Sequence, residues 1–237
     1  MALFLFVPGA FHGGWAFDML RPVLERAGHA VMTPTLTGVG ERAHLARLGP
    51  INLETHIADI VNLITWNDLH DVVLCGHSYG GLVITGVADR LSERIASLVY
   101  LDAMMPKDGD TAFTVVPSLL EPFTELSAEL GGTMVAPWPS AVFGVSPAHQ
   151  PWVDARLTPH PLACFTQKLT LTGEYAQVRK VVMIWNDTDT GLPNPFRNLY
   201  EAEAAREGRH VYPLSGGHDF MIENPAALAE ILLRHHS

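Results

Sequence analysis

Ser78 stands in the run Gly76-His77-Ser78-Tyr79-Gly80, between the apolar stretch Val72 to Cys75 and an amphipathic segment that begins near Gly80. A serine flanked two residues away on each side by glycine, on a turn from a buried strand into a helix, forms the nucleophile elbow of enzymes that attack a carbonyl carbon. The turn lifts the serine above the sheet and crowds its neighbours. Gly76 and Gly80 relieve that crowding, and Gly81 is expected to let the helix approach the sheet. At a helix N-terminus the peptide dipoles favour negative charge developing on the serine oxygen.

A hydroxyl needs a base, and the base needs an acid that orients it. Of the 12 histidines, His235 and His236 fall in the tail, His29, His44, His56 and His70 read as surface residues, and His77 is locked in the elbow. His218, in LSGGHDFM, follows the last predicted strand, where a doubly wound sheet delivers loops to the strand carboxyl ends. Three acids compete: Asp187 and Asp189 after the run Val181 to Trp185, and Asp102 after Ser97 to Leu101. Asp189 is preferred, because Asp187 suits a turn-holding role. Asp219, beside His218, is expected to point away. An oxyanion hole needs two backbone amides; Tyr79, after the nucleophile, would supply one, and Ala10, in the glycine-rich loop Pro8 to Trp15, the other.

The elements that must hold these groups are legible as alternation. Strands are predicted at Leu3 to Val7, Ala30 to Thr33, Val72 to Cys75, Ala96 to Leu101, Val181 to Trp185 and His210 to Tyr212, with helices at Phe17 to Ala27, Leu53 to Thr65 and Asn224 to about Leu233. Pro22 marks a kink or late start in the first helix. This is an α/β chain: a mostly parallel, doubly wound sheet. The rhythm breaks between residues 104 and 175, which hold 9 of the 17 prolines and, from Leu130 to Val153, no charged side chain. An unstructured loop of that length is uncommon in a compact domain, so an inserted cap of short helices is expected. The chain then reads as a single domain, with core 1–103 and 176–237 and cap 104–175.

The 237 residues are 48% hydrophobic and 17% charged, with a formal net charge of −10. Such a chain buries a large core, which excludes intrinsic disorder. Few, scattered Lys and Arg argue against nucleic acid, and the acidic balance weighs against anionic substrates. No run approaches the roughly 18 apolar residues of a membrane span, and the N-terminal run ends at Pro8 without a basic region before it. Cys75 and Cys164 make neither a disulfide framework nor a metal-ligand spacing, so a cytoplasmic location without metal or cofactor is expected.

VPGAFHGGW followed by LRPVLERAGHAVMTPTLTGVGER, then GHSYGG, IWNDTDTGLP and GGHDFM, resembles the α/β-hydrolase superfamily over nearly the whole chain. Within it the chain is similar to the esterase group of plant methylesterases, hydroxynitrile lyases and small bacterial esterases. The resemblance implies a Ser78, Asp189, His218 triad with Ala10 and Tyr79 as oxyanion hole, in the chain order serine, acid, histidine. Pro8 replaces the usual His before the first-strand Gly. Hydroxynitrile lyases carry Thr in place of Gly9 and Lys in place of Asp219, and without that lysine cyanide chemistry is not expected.

The expectation is therefore a serine carboxylester hydrolase acting on a small, mostly apolar or aromatic ester. Gly9, Phe11 and His12 from the first loop, with Trp138, Phe143, His149 and Trp152 from the cap, are the candidate substrate contacts. Rival readings on the same scaffold are a lyase, a C–C hydrolase or a cofactor-free dioxygenase, and beyond catalysis a ligand-binding receptor. The apolar cap could instead face a second subunit of a homodimer.

Overall fold

Six apolar runs pair, each parallel to its neighbours, into one sheet in the computed structural model, which describes residues 1–188 and 194–236. The strands are β1 (Leu3–Val7), β2 (Ala30–Met32), β3 (Val72–His77), β4 (Ile95–Leu101), β7 (Val181–Asn186) and β8 (Arg209–Leu214), in the spatial order β2-β1-β3-β4-β7-β8. A further antiparallel pair, β5 (Met134–Val135) with β6 (His160–Pro161), lies apart from this sheet. Phe4, Leu5, Phe6 and Val7 in β1 are fully buried, as expected of a parallel strand covered on both faces. Each such side chain contributes about 1.5–3 kcal/mol by leaving water.

The predicted runs match the six strands, with β3 extended to His77 and β8 lengthened at both ends. Strand order reverses between β1 and β3, because the chain first moves outward to β2 and then crosses back. Loops leaving β1 and β3 part there, and the crevice between them is where an open α/β sheet takes its ligand.

The helices are α1 (Arg21–Arg26), α2 (Leu53–Trp66), α3 (Gly80–Arg90), α4 (Ala112–Val115), α5 (Leu120–Ala128), α6 (Gln150–Asp154), α7 (Ala163–Thr166), α8 (Arg197–Glu203), α9 (Phe220–Glu223) and α10 (Pro225–His236). Pro22 occupies the first turn of α1, so it starts that helix and does not kink it. Asn52 caps α2 by accepting from the Thr55 amide at 3.1 Å. Against the surface assignment made from sequence, His56 is fully buried on the stripe that α2 shares with Leu53, Ile57 and Ile60. His236 is also buried, its ring edge-on to Phe4 at 5.6 Å.

Residues 104–175 hold α4 to α7 and the β5–β6 pair, between β4 and β7. Backbone bonds join this insertion to two loops at the strand carboxyl ends. The His218 amide donates to the Phe143 carbonyl at 2.7 Å, and the Thr158 amide donates to the Phe11 carbonyl at 3.1 Å. Among the described residues, no helix is long and apolar enough to cross a membrane.

Candidate active site

Ser78 has φ 52°, a left-handed conformation that non-glycine residues adopt only where surrounding bonds impose it. Those bonds are present. Its amide donates to Leu101 at 3.2 Å, while its carbonyl accepts from Gly81 at 3.1 Å and from Met104 at 3.0 Å. A Cβ at Gly76 would lie 2.6 Å from the Gly80 carbonyl, which is the crowding the motif predicts. Gly81 is pressed against the Met104 backbone, the chain just beyond β4, so its close approach is to that segment and not to the sheet itself.

His218 Nδ1–H donates to Asp102 Oδ2 at 2.6 Å. The second carboxylate oxygen accepts from the Asn186 amide at 3.0 Å and from Asn194 Nδ2 at 2.7 Å. Asp102 is therefore buried, fully bonded and fixed at the end of β4 with φ 44°. Asp189, the acid preferred from sequence, lies outside the described residues, and Asp102, the third candidate, is the carboxylate bonded to Nδ1. Asp187 accepts from the Ser215 hydroxyl at 2.6 Å, and Thr188 Oγ1 accepts from Gly216 at 2.9 Å, so both secure the loop that carries His218.

Burial alone would raise the Asp102 carboxyl, but the His218 hydrogen bond and charge bring it below its usual value. For His218 burial lowers the imidazole, yet the Asp102 bond and charge prevail and raise it above 6.5. With Nδ1 engaged, the neutral ring carries its lone pair on Nε2. Asn194 left no mark in the sequence as a partner of the acid. Its role depends on a tertiary contact across 92 positions.

Among the described residues, neither the Ala10 nor the Tyr79 amide has an acceptor, and both residues border the cavity that Ser78 lines. The Ala10 carbonyl accepts from His12 Nδ1 at 2.7 Å, and His12 Nε2 meets Asp219 Oδ2 at 3.2 Å. Asp219 is fully buried, with His77 at 3.7 Å from its other oxygen. Burial opposes its charge, but the His12 ring, by charge and hydrogen bond, holds its carboxyl down to about 2. Burial brings His77 down to about 3, so this ring is neutral, and its Nε2–H donates to the His218 carbonyl at 3.1 Å.

A carboxyl lowered by folding stabilises above its unfolded value of about 3.9 and loses that contribution as the pH falls toward its folded value. Asp219→Asn is accordingly expected to cost about 2 kcal/mol at neutral pH. The gap in urea midpoint between the two proteins should close between about pH 4 and pH 2. A gap that persists unchanged at the acid end would remove the carboxylate charge from the account.

The cavity measures about 590 Å³ and is lined by Ala10, Phe11, His12, Ser78, Tyr79, Trp138, Phe143 and His218, with Met104, Phe123, Phe165 and Phe196 adding apolar wall. Three sequence candidates lie elsewhere. Gly9 makes room for the elbow: a Cβ there would come within 2.7 Å of His77 Nδ1 and 2.9 Å of Ser78 Cβ. His149 Nδ1 is bound to Glu223 at 2.9 Å, and Trp152 packs edge-on to Trp15 at 5.2 Å with Arg156 over its ring. Their sequence positions did not reveal which way the insertion folds.

Behind Tyr79, the ligand-type atoms of His56, His160 and Cys164 gather within 4.8 Å of one another. His56 already accepts from the Tyr79 hydroxyl at 3.0 Å and donates to the Thr37 carbonyl at 2.8 Å, while burial pushes the Cys164 thiol up to about 12. Both His56 nitrogens are thus engaged in hydrogen bonds, and His160 Nε2 has no partner among the described residues.

The sequence model of the alpha/beta hydrolase family matches residues 4–231. A carbendazim hydrolyzing esterase of Nocardioides sp. (strain SG-4G) is 42% identical over 98% of both chains. An alpha-hydroxynitrile lyase of Arabidopsis thaliana is 34% identical over 54% of this chain and 48% of its own. Among solved structures, an extracellular alpha/beta-hydrolase from a Paenibacillus species superposes with a TM-score of 0.85, at 23% identity, over 99% of this chain and 98% of its own.

Proposed function

The chain belongs to the alpha/beta hydrolase family, and on that premise we propose that it is a serine carboxylester hydrolase with Ser78 as nucleophile, His218 as base and Asp102 as the orienting acid. The observation that carries the reading is the 2.6 Å bond from His218 Nδ1 to Asp102, on a base that shares its cavity with Ser78. His218 Nε2 takes the hydroxyl proton as Ser78 attacks the ester carbonyl, and Asp102 holds the ring and stabilises its protonated form. The Ala10 and Tyr79 amides receive the oxyanion. As the intermediate collapses, the imidazolium returns its proton to the departing alcohol, and water activated by the same ring then releases the acid.

A cavity of about 590 Å³ with mostly aromatic and aliphatic walls suits a small apolar or aromatic ester. Trp138 and Phe143, from the uncharged stretch Leu130 to Val153 of the insertion 104–175, line that cavity, which supports a substrate-facing role for this part of a single domain. Two buried, free cysteines accord with a reducing compartment such as the cytoplasm. Lyase chemistry of the cyanide type lacks its cation, since position 219 holds a buried carboxylate turned toward His12.

The test is a burst experiment. A p-nitrophenyl acetate or butyrate pulse should release one equivalent of p-nitrophenol per enzyme before steady state, and a fluorophosphonate should label Ser78 alone on peptide mass mapping. Absence of both a burst and a Ser78 adduct, in protein that is folded, would sink the acyl-enzyme reading. A panel of aryl, methyl and lactone esters, with carbendazim included, then ranks substrates.

A further inference from the structure

One peptide unit of the active site is gripped at both ends by imidazoles. The carbonyl of Ala10 accepts from His12 Nδ1 at 2.7 Å, and the amide of the same unit, Phe11 N–H, donates to His160 Nδ1 at 3.3 Å. The Phe11 carbonyl is held in turn by the Thr158 amide at 3.1 Å. Phe11 has φ 70°, a conformation disfavoured for a bulky residue unless its surroundings dictate it. Together these bonds set ψ of Ala10 and φ of Phe11. They thereby anchor the peptide unit that follows Ala10, the cavity-lining residue whose own amide has no acceptor among the described residues.

We infer that His160, supplied by the insertion through β6, is a positioning residue for the oxyanion-binding amide of Ala10. The inference rests on the esterase reading given above and adds to it a residue that borders neither Ser78 nor the substrate cavity. His160 is fully buried, and because Nδ1 accepts from Phe11 its proton lies on Nε2. That Nε2 finds no partner among the described residues. An apolar ring would fill the same space without a buried unpaired N–H, so the Nδ1 bond accounts for a histidine here. The His160 ring also packs edge-on to Tyr79 at 4.9 Å and to His56 at 5.3 Å, and His56 bonds the Tyr79 hydroxyl. Both oxyanion residues therefore lean on one buried cluster. Burial holds His160 well below the usual imidazole range, so the acceptor persists across neutral pH.

His160→Phe keeps a ring and removes the acceptor, whereas His160→Asn places an amide oxygen near the Nδ1 position. With rates normalised to Ser78 titrated by fluorophosphonate, His160→Phe should lower kcat about 10- to 100-fold and leave KM within about twofold. A trifluoromethyl ketone, whose hemiketal oxyanion occupies the hole, should lose affinity in proportion to the fall in kcat/KM. His160→Asn should return kcat to within about threefold of wild type. If His160→Phe does not fold, His160→Gln, with its acceptor one carbon further out, takes its place with the same expected loss.

Unchanged kcat and inhibitor affinity in the variant lacking the acceptor would overturn the assignment. So would an equal loss in His160→Asn that follows melting temperature. A wild-type enzyme that is not acylated at Ser78 overturns the esterase reading and this inference together. Normal acylation with an indifferent His160→Phe overturns this inference alone.

Discussion

Asp102→Asn is expected to lower kcat for an aryl ester by about 10⁴-fold, the scale seen when the acid that holds a catalytic imidazole becomes an amide, while Asp189→Asn stays within about tenfold of wild type. The carboxylate accepts the Nδ1 proton at 2.6 Å and so keeps the lone pair on Nε2. An amide nitrogen in the same place would donate, reverse the tautomer and withdraw the base from Ser78. The pH profile gives a second reading of the same change. Asp102 raises His218 above 6.5 against the effect of burial. The base works only when neutral, so wild-type kcat/KM should climb with pH through that raised value. Removing the carboxylate charge should slide the limb to lower pH even as the plateau collapses. A larger loss in Asp189→Asn, or a limb that stays in place in Asp102→Asn, would return the acid's role to the loop after β7.

Ser78→Ala carries the largest expected loss, about 10⁶-fold in kcat, with folding and ligand binding retained. Retention follows from the backbone: the bonds to Leu101, Gly81 and Met104 that hold φ at 52° use main-chain atoms, which alanine keeps. Some acceleration over water, about 10³- to 10⁴-fold, should survive from the Ala10 and Tyr79 amides and from binding. Stopped-flow turnover with isothermal titration of a product acid separates the alternatives. A His–Asp base acting without a nucleophile would leave the alanine variant active. A receptor without turnover would show no difference between the two proteins.

What could be foreseen from the sequence followed the range of the interactions involved. The elbow is local: a buried run, a Gly-x-Ser-x-Gly turn and a helix lie within about twenty residues, and steric rules decide the rest. The six strands were likewise visible as apolar runs, because a parallel sheet buried on both faces leaves little room for polar residues. The acid was not decided in that way. Asp102 and Asp189 both follow strands, and the contact that distinguishes them, from Asp102 to Nδ1, spans 116 positions of intervening chain. One signal was available for His56, which falls three residues after Leu53 and four before Ile60, on the stripe that α2 buries. For Trp152 and His149 no comparable signal exists, since short helices and a two-residue strand pair in the insertion take their places from tertiary contacts.

The insertion is joined to the catalytic loops through main-chain bonds, from His218 to Phe143 and from Thr158 to Phe11. This limits how the substrate range of the protein can be redesigned. Grafting a foreign segment between β4 and β7 would remove two anchor points of the machinery along with the old pocket wall, and such chimeras should be born slow whatever ligand they admit. Replacing wall side chains such as Trp138 or Phe123 one at a time keeps both anchors. Diversification of this scaffold is therefore expected to proceed by point substitution within a retained insertion, and much less by exchange of the insertion as a cassette.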